Sequence, residues 1–288
     1  MTDATEKHRP RVALLGEFSA GKSTLVNVLM KEARSPVRVT ATHLPPIWYC
    51  YGTGPAMHIA RDGTETALPG NDLSAAPLED TRAVRVEVAA DILKSCDLLD
   101  MPGSSDPNMT PDIWDALLPM SQAVIWCTPA TQAWRQSEAA IWEETPETLH
   151  AHAILLLTRF DKIRMSDDRK RLLSRVRRET KGLFRGVYPV SLLQALSGED
   201  DAEAWSDSGM DAVLEALVGI LEELNGAPKR DLANVVPLPG TSASGVATRA
   251  AASATEERTG PVVMPRRVTR AGGRTMRPRR AGGEGSLI

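Results

Sequence analysis

The sequence predicts an α/β fold, a mostly parallel β-sheet with helices on both faces, and three observations carry that prediction. Residues 123–127 and 153–157 are continuous apolar runs, the composition of central strands covered on both sides. Strand-like runs alternate with segments of helical character through most of the chain. Residues 210–224 place Val213, Leu217, Ile220, Leu221 and Leu224 at the spacing of one helix face.

The elements follow in order. Residues 11–15 read as a short buried strand, and a glycine-bounded loop leads from it into a helix over 22–32, with Leu25, Val28 and Leu29 on one face. Residues 33–46 form a polar, Pro-containing connection. Residues 47–51 and 57–60 flank Gly52-Thr53-Gly54-Pro55 and read as two strands paired across a turn. The stretch 62–81, rich in Gly, Pro, Asp and Ala, reads as an excursion over the surface. Residues 84–88 alternate apolar with charged side chains, as a half-exposed strand does, and 96–99 form a short buried strand ending in Asp100-Met101-Pro102-Gly103. Helices are expected over 136–144 and 169–180, a strand over 186–190, and an acidic surface insertion over 196–207. Ser208 can cap the last helix, and Gly226 with Pro228 can stop it.

After Gly226 the composition changes. Residues 227–288 hold no Phe, Trp or Tyr but 6 Pro and 8 Gly. Such a segment buries too little apolar surface to offset backbone ordering, which costs roughly 1–2 kcal/mol per residue. The expected organisation is a disordered N-terminus over 1–9, one globular domain over 10–226 and a disordered tail over 227–288. The tail carries 11 Lys/Arg against 4 Asp/Glu, so a net charge of −3 for the whole chain conceals an acidic body of −10. Arg266, Arg267, Arg270, Arg274, Arg277, Arg279 and Arg280 make this tail a candidate arm for an anionic membrane or a partner protein, with nucleic acid the weaker candidate.

An apolar content of 42% and a charged content of 25% are those of a globular chain with a sizeable core. No run approaches the roughly 20 apolar residues that span a bilayer, and the first residues lack the apolar stretch of a signal peptide. Cys50, Cys96 and Cys127 stand far apart in apolar runs and read as core thiols, without the spacing of a metal site or a disulfide framework. A cytoplasmic protein is expected, with peripheral membrane attachment as a variant of that reading. The six tryptophans read mostly as core or half-buried packing.

Gly16-Glu17-Phe18-Ser19-Ala20-Gly21-Lys22-Ser23 fits G-x-x-x-x-G-K-[ST] without mismatch, and it lies between a buried strand and a helix. Glycines at 16 and 21 permit backbone angles that let consecutive amides turn around a phosphate. The helix that begins near Lys22 points its positive end at the same anion. Lys22 is expected to bridge the terminal phosphates, and Ser23 to give a hydroxyl to Mg²⁺. The fold expected is therefore that of a P-loop NTPase.

Two later segments bear on which nucleotide. Asp100-Met101-Pro102-Gly103 ends a buried strand, where the Asp-x-x-Gly element of GTPases holds Mg²⁺ through water and offers a glycine amide to the terminal phosphate. Thr158-Arg159-Phe160-Asp161 is similar to the [NT]-K-x-D element, whose carboxylate accepts two hydrogen bonds from guanine; Arg159 stands where Lys is usual, and an arginine can lie flat over a purine.

Together, residues 16–27, 100–103 and 158–161 resemble the GTPase domain of the dynamin superfamily, particularly its bacterial members, over about residues 10–226. The resemblance implies hydrolysis of GTP to GDP and phosphate with Mg²⁺, stimulated when two such domains meet across their nucleotides. It implies that Ser19 helps to position the attacking water and that a threonine near residues 40–42 closes on Mg²⁺ and that water; Thr40 and Thr42 are both candidates. It places the phosphate contacts on residues 16–24, including Thr24, the base contacts on Thr158, Arg159 and Asp161 with help near Ser191, and the metal on Ser23, Asp100 and the switch threonine, Thr42 being the candidate. Ser104 stands where many small GTPases keep a glutamine. Dynamins continue into a long helical stalk, and residues after Leu224 do not read as one, so a stand-alone switch or one half of an assembly is expected. A nucleotide-dependent scaffold with little turnover is the alternative, and an ATP-using enzyme a third. Arg135 could serve as a charge-stabilising finger.

Overall fold

The structure, a computed structural model, describes residues 9–31, 45–104, 111–198 and 201–226. Residues 1–8 of the expected disordered N-terminus 1–9, the expected disordered tail 227–288 and the switch candidates Thr40 and Thr42 lie outside the described residues.

Among them, nine strands form one sheet: β1 (Arg11–Gly16), β2 (Ile47–Tyr51), β3 (Met57–Ala60), β4 (Glu65–Ala67), β5 (Thr81–Val88), β6 (Asp97–Asp100), β7 (Ala123–Pro129), β8 (Ala153–Thr158) and β9 (Gly186–Pro189). Their order is β4-β3-β5-β2-β6-β1-β7-β8-β9. The half from β6 to β9 is wholly parallel, as the apolar runs required. Beyond β6 the direction reverses: β2 is antiparallel to β6 and parallel to β5, while β3 is antiparallel to β4 and β5. The helices are α1 (Lys22–Met30), α2 (Pro111–Leu117), α3 (Gln136–Glu143), α4 (Ser166–Glu179), α5 (Leu192–Ser197), α6 (Ala202–Asp207) and α7 (Met210–Gly226).

Alternation along the strands divides the core between the two faces. Val12 and Leu14 of β1, Ile125 and Cys127 of β7 and Ile154 and Leu156 of β8 pack with α1, α5 and α7. Their neighbours Ala13, Leu15, Val124, Trp126, Leu155 and Leu157 pack on the other face with Trp114 of α2, Trp142 of α3 and Val176 of α4. Trp126 is fully buried and meets Trp114, Trp134 and Trp142 edge-on at 6.3, 6.0 and 5.7 Å. Such pairs contribute about 0.5–1.5 kcal/mol each beyond burial. These four tryptophans are core residues and Trp48 and Trp205 are half-buried, as the packing reading expects. All three cysteines are buried and free.

Four local expectations change. The segments 47–51 and 57–60 are strands, but β5 lies between them, so they form no hairpin. The charge alternation of β5 suits a strand half-covered on one side, and two neighbours claim its edges. The stretch 62–81 is not a simple surface excursion, because it contains β4 and buries Leu68, Leu73 and Ala76. Residues 196–207 hold the end of α5 and all of α6, with Trp205 packed against the core and its Nε1 donating to Asp211 at 2.6 Å. Helix α2 was not foreseen, since its seven residues are too few to establish a period. Ser208 does support the start of α7: its hydroxyl accepts the Met210 amide at 3.2 Å.

Candidate functional site

Strand β1 ends at Gly16 with φ +134°, where a Cβ would stand 2.1 Å from the Cys127 carbonyl oxygen of the adjacent strand. The position excludes any side chain. The chain then turns through Glu17 and Phe18, enters the left-handed region at Ser19 (φ +58°), and enters it again at Gly21 (φ +101°), which caps α1. Left-handed and right-handed residues in succession curl a backbone into the concavity that binds anions. Its first-turn amides have no partner within the helix, and the dipole of α1 points into it.

Lys22 is buried, and its Nζ donates to the carbonyls of Gly16 at 3.0 Å and Glu17 at 2.9 Å. The ammonium is thus drawn back over the loop that precedes it. One residue on, the Ser23 hydroxyl donates to Oδ2 of Asp100 at 2.9 Å. Asp100 ends β6, the parallel neighbour of β1, so sheet register brings it to the start of α1. Burial pushes its carboxyl above the usual carboxylate range, with the charge of Lys22 and the Ser23 hydrogen bond pulling the other way. Hard oxygen donors from one serine and one carboxylate are of the kind that suits Mg²⁺. That ion keeps several waters and takes further oxygens from a substrate's phosphates.

The segment after Asp100 packs on the phosphate loop. The Ser104 amide donates to the Gly16 carbonyl at 3.2 Å, and a Cβ on Gly103 would lie 2.5 Å from the Phe18 nitrogen. Thr24 is half-buried one turn into α1, Ala20 is fully buried, and Phe18 is 57% exposed at the loop's crest.

The segment 158–161, expected from the sequence to read the base, meets the same loop. Thr158 is fully buried and donates to the Ala20 carbonyl at 2.7 Å, so its hydroxyl serves the loop. Arg159 takes a left-handed φ of +55° and reaches back to the Ser19 carbonyl at 2.8 Å. Asp161 is exposed in the following turn, 3.0 Å from the ammonium of Lys162. The Phe160 amide donates to the Val190 carbonyl at 3.1 Å, which sets buried Ser191 beside this turn. A depression of about 480 Å³ lies farther out, lined by Thr131, Lys162, Arg164, Met165 and Asp168; it borders the turn at Phe160–Lys162 and not the loop of residues 16–23.

Two features escaped the sequence. Glu17 belongs to the loop by its backbone, but its carboxylate is ion-paired with Arg135 and accepts the Ser137 hydroxyl at 3.1 Å. Arg135 is therefore engaged with the loop's own acid in this state. Glu138 has no exposed surface and accepts from Trp126 Nε1, the Thr128 hydroxyl and the Arg135 amide at 3.1, 3.0 and 2.9 Å. An acidic residue three positions after the cap residue of a helix was the available signal for Glu138. Nothing in the sequence pointed to Ser137.

No protein-family model and no curated protein matches the sequence. Two solved structures of an oligomerised bacterial dynamin pair, described as a mechanism for the long-range sensing and tethering of membranes, do match the structure. They superpose with TM-scores of 0.56 and 0.55 at 18% and 19% sequence identity, each over 76% of this chain. The chain spans 36% of the length of those dynamins. The domain thus has the P-loop α/β fold found in bacterial dynamins.

Proposed function

We propose that the chain binds GTP with Mg²⁺ and hydrolyses it to GDP and phosphate. The observation that carries this reading is the convergence of Lys22, Ser23 and Asp100 at the mouth of a loop whose backbone already has an anion-binding curl. When bound, Mg²⁺ would neutralise charge on the terminal phosphates, and Ser23 with Asp100 would hold it.

The chain's own residues do the rest by positioning. Loop amides from residues 17–23 hold the phosphates, and Lys22 exchanges its two carbonyl acceptors for phosphate oxygens. Ser19 orients the attacking water, and the Gly103 amide, pressed on the loop, meets the terminal phosphate. Little covalent work falls to the protein in such a transfer. Asp161 reads guanine by accepting two hydrogen bonds, with Arg159 over the base and Ser191 behind it. Thr40 or Thr42 completes the metal and water shell.

The likeness to a bacterial dynamin pair makes a second domain across the nucleotide the partner to test, with an anionic membrane reached through the arginine-rich tail as the other. A switch with little turnover is the second reading, favoured by Arg159 in place of the usual lysine in the Thr158–Asp161 element. Phosphate release from GTP, followed against protein concentration, separates the two. Paired domains give a rate that climbs faster than linearly. A Mg²⁺-dependent rate that Lys22→Ala abolishes supports hydrolysis; release that survives Lys22→Ala contradicts it.

A further inference from the structure

The phosphate loop carries an acid of its own. Glu17 is 8% exposed and sits where a bound polyphosphate would add further negative charge. Its side chain leaves the loop for the segment after β7, where Oε2 is paired with the Arg135 guanidinium and Oε1 accepts the Ser137 hydroxyl. Its carbonyl oxygen accepts both Lys22 Nζ at 2.9 Å and the Ala20 amide at 3.2 Å. A single residue therefore links the start of α3 to the lysine ammonium.

The start of α3 is a firm anchor. Glu138 is fully buried, and three donors hold it: Trp126, Thr128 and the Arg135 amide. The Thr128 hydroxyl also accepts the Trp134 amide at 3.3 Å, which fixes the residue before Arg135. Fully satisfied buried networks of this kind hold one geometry.

We propose that Arg135 and Ser137 are positioning residues of the phosphate loop, which pin Glu17 and neutralise it so that the loop keeps its curl and tolerates a polyphosphate; this rests on the nucleotide reading above. An unpaired carboxylate in the loop would repel the ligand, and the guanidinium removes that repulsion. Arginine suits the task because its charge is permanent and its planar fork matches a carboxylate.

Two measurements on the full chain test it. The first is amide hydrogen exchange of residues 16–22 without nucleotide. Arg135→Ala is expected to speed exchange there and leave β8 protected; the parent's rate in Arg135→Ala would overturn the proposal. If Arg135→Ala does not fold, Ser137→Ala removes the second pin alone, with the same expectation and the same overturning result. The second is GTP affinity. Arg135→Ala is expected to bind about ten- to a hundredfold more weakly, the loss of one charge-assisted bond. Adding Glu17→Gln is expected to restore most of that loss, because the uncompensated acid is gone. A double variant as weak as Arg135→Ala means that Arg135 acts on the phosphates directly and overturns the proposal. A parent that binds no GTP overturns the nucleotide reading instead, and the exchange rates still decide whether the pin exists.

Discussion

Thr158 donates its hydroxyl to the Ala20 carbonyl across 138 positions of sequence, at 2.7 Å, and so fastens the end of β8 to the phosphate loop. The same hydroxyl lies 3.3 Å from the Thr128 carbonyl of β7. Thr158→Val keeps the shape and removes the donor, which leaves the buried Ala20 carbonyl short of its partner. The expected cost is about 1–3 kcal/mol of stability, read from the urea midpoint, together with faster exchange of the loop amides. An unchanged midpoint would show that this bond does not brace the loop.

Lys22 and Ser19 should fail in different ways. Lys22→Ala removes the charge proposed to meet the phosphates and is expected to abolish tight nucleotide binding. Ser19→Ala is expected to leave affinity near that of the parent and to lower kcat by about 10²–10³, the size of one lost preorganised donor. Calorimetry with GTP and a phosphate-release assay on both variants decide it. If both bind and turn over like the parent, the site lies elsewhere.

Gly103 has no room to grow. An alanine there would press its Cβ to 2.5 Å from the Phe18 nitrogen and 2.7 Å from its Cα. The contact is with backbone, so the loop or the segment after β6 must move. Gly103→Ala is expected to keep the far-ultraviolet circular dichroism of the parent and to lose most turnover. Full activity would mean that the two segments need not touch.

The cysteines provide a pH test independent of nucleotide. Burial pushes the Cys50 thiol up to about 11 and those of Cys96 and Cys127 up to about 12, against 9.0 for an ordinary thiol. The unfolded chain therefore loses these protons first as pH rises. Their contribution to stability is complete below pH 9 and is lost as pH climbs toward 11–12. The native protein is expected to resist thiol reagents at pH 8 and to need less urea to unfold at pH 10 than at pH 8. Rapid labelling of three thiols in the folded state would contradict their burial.

Much of this was legible because local pattern and tertiary role agree. The loop from Gly16 to Ser23 is fixed by glycine positions and a strand-to-helix junction, both visible in one dimension. The parallel half of the sheet announced itself through apolar runs that needed cover on both faces. Pairing was less legible where several partners fit: residues 47–51 and 57–60 satisfy a hairpin pattern, yet β5 lies between them and pairs with both. Helix α2 left no periodic trace.

Side-chain purpose was the least legible. Glu17 and Thr158 stand in motifs expected to touch nucleotide, but their side chains are committed to protein partners, Arg135 and Ser137 for one and Ala20 for the other. Those partners lie more than a hundred positions away, and residue type alone does not reveal a contact that only the folded sheet creates. Asp100 was easier to place, since β6 and β1 are parallel neighbours and both end at the phosphate side.

The most direct test is calorimetric titration of the full chain with GTP, GDP and ATP analogues, with and without Mg²⁺. The expected result is one-to-one binding of GTP and GDP, tighter for GTP when Mg²⁺ is present, with no competition from ATP and no binding to Lys22→Ala. Absence of heat with every nucleotide, or equal affinity of the parent and Lys22→Ala, would contradict a phosphate site built on Lys22, Ser23 and Asp100.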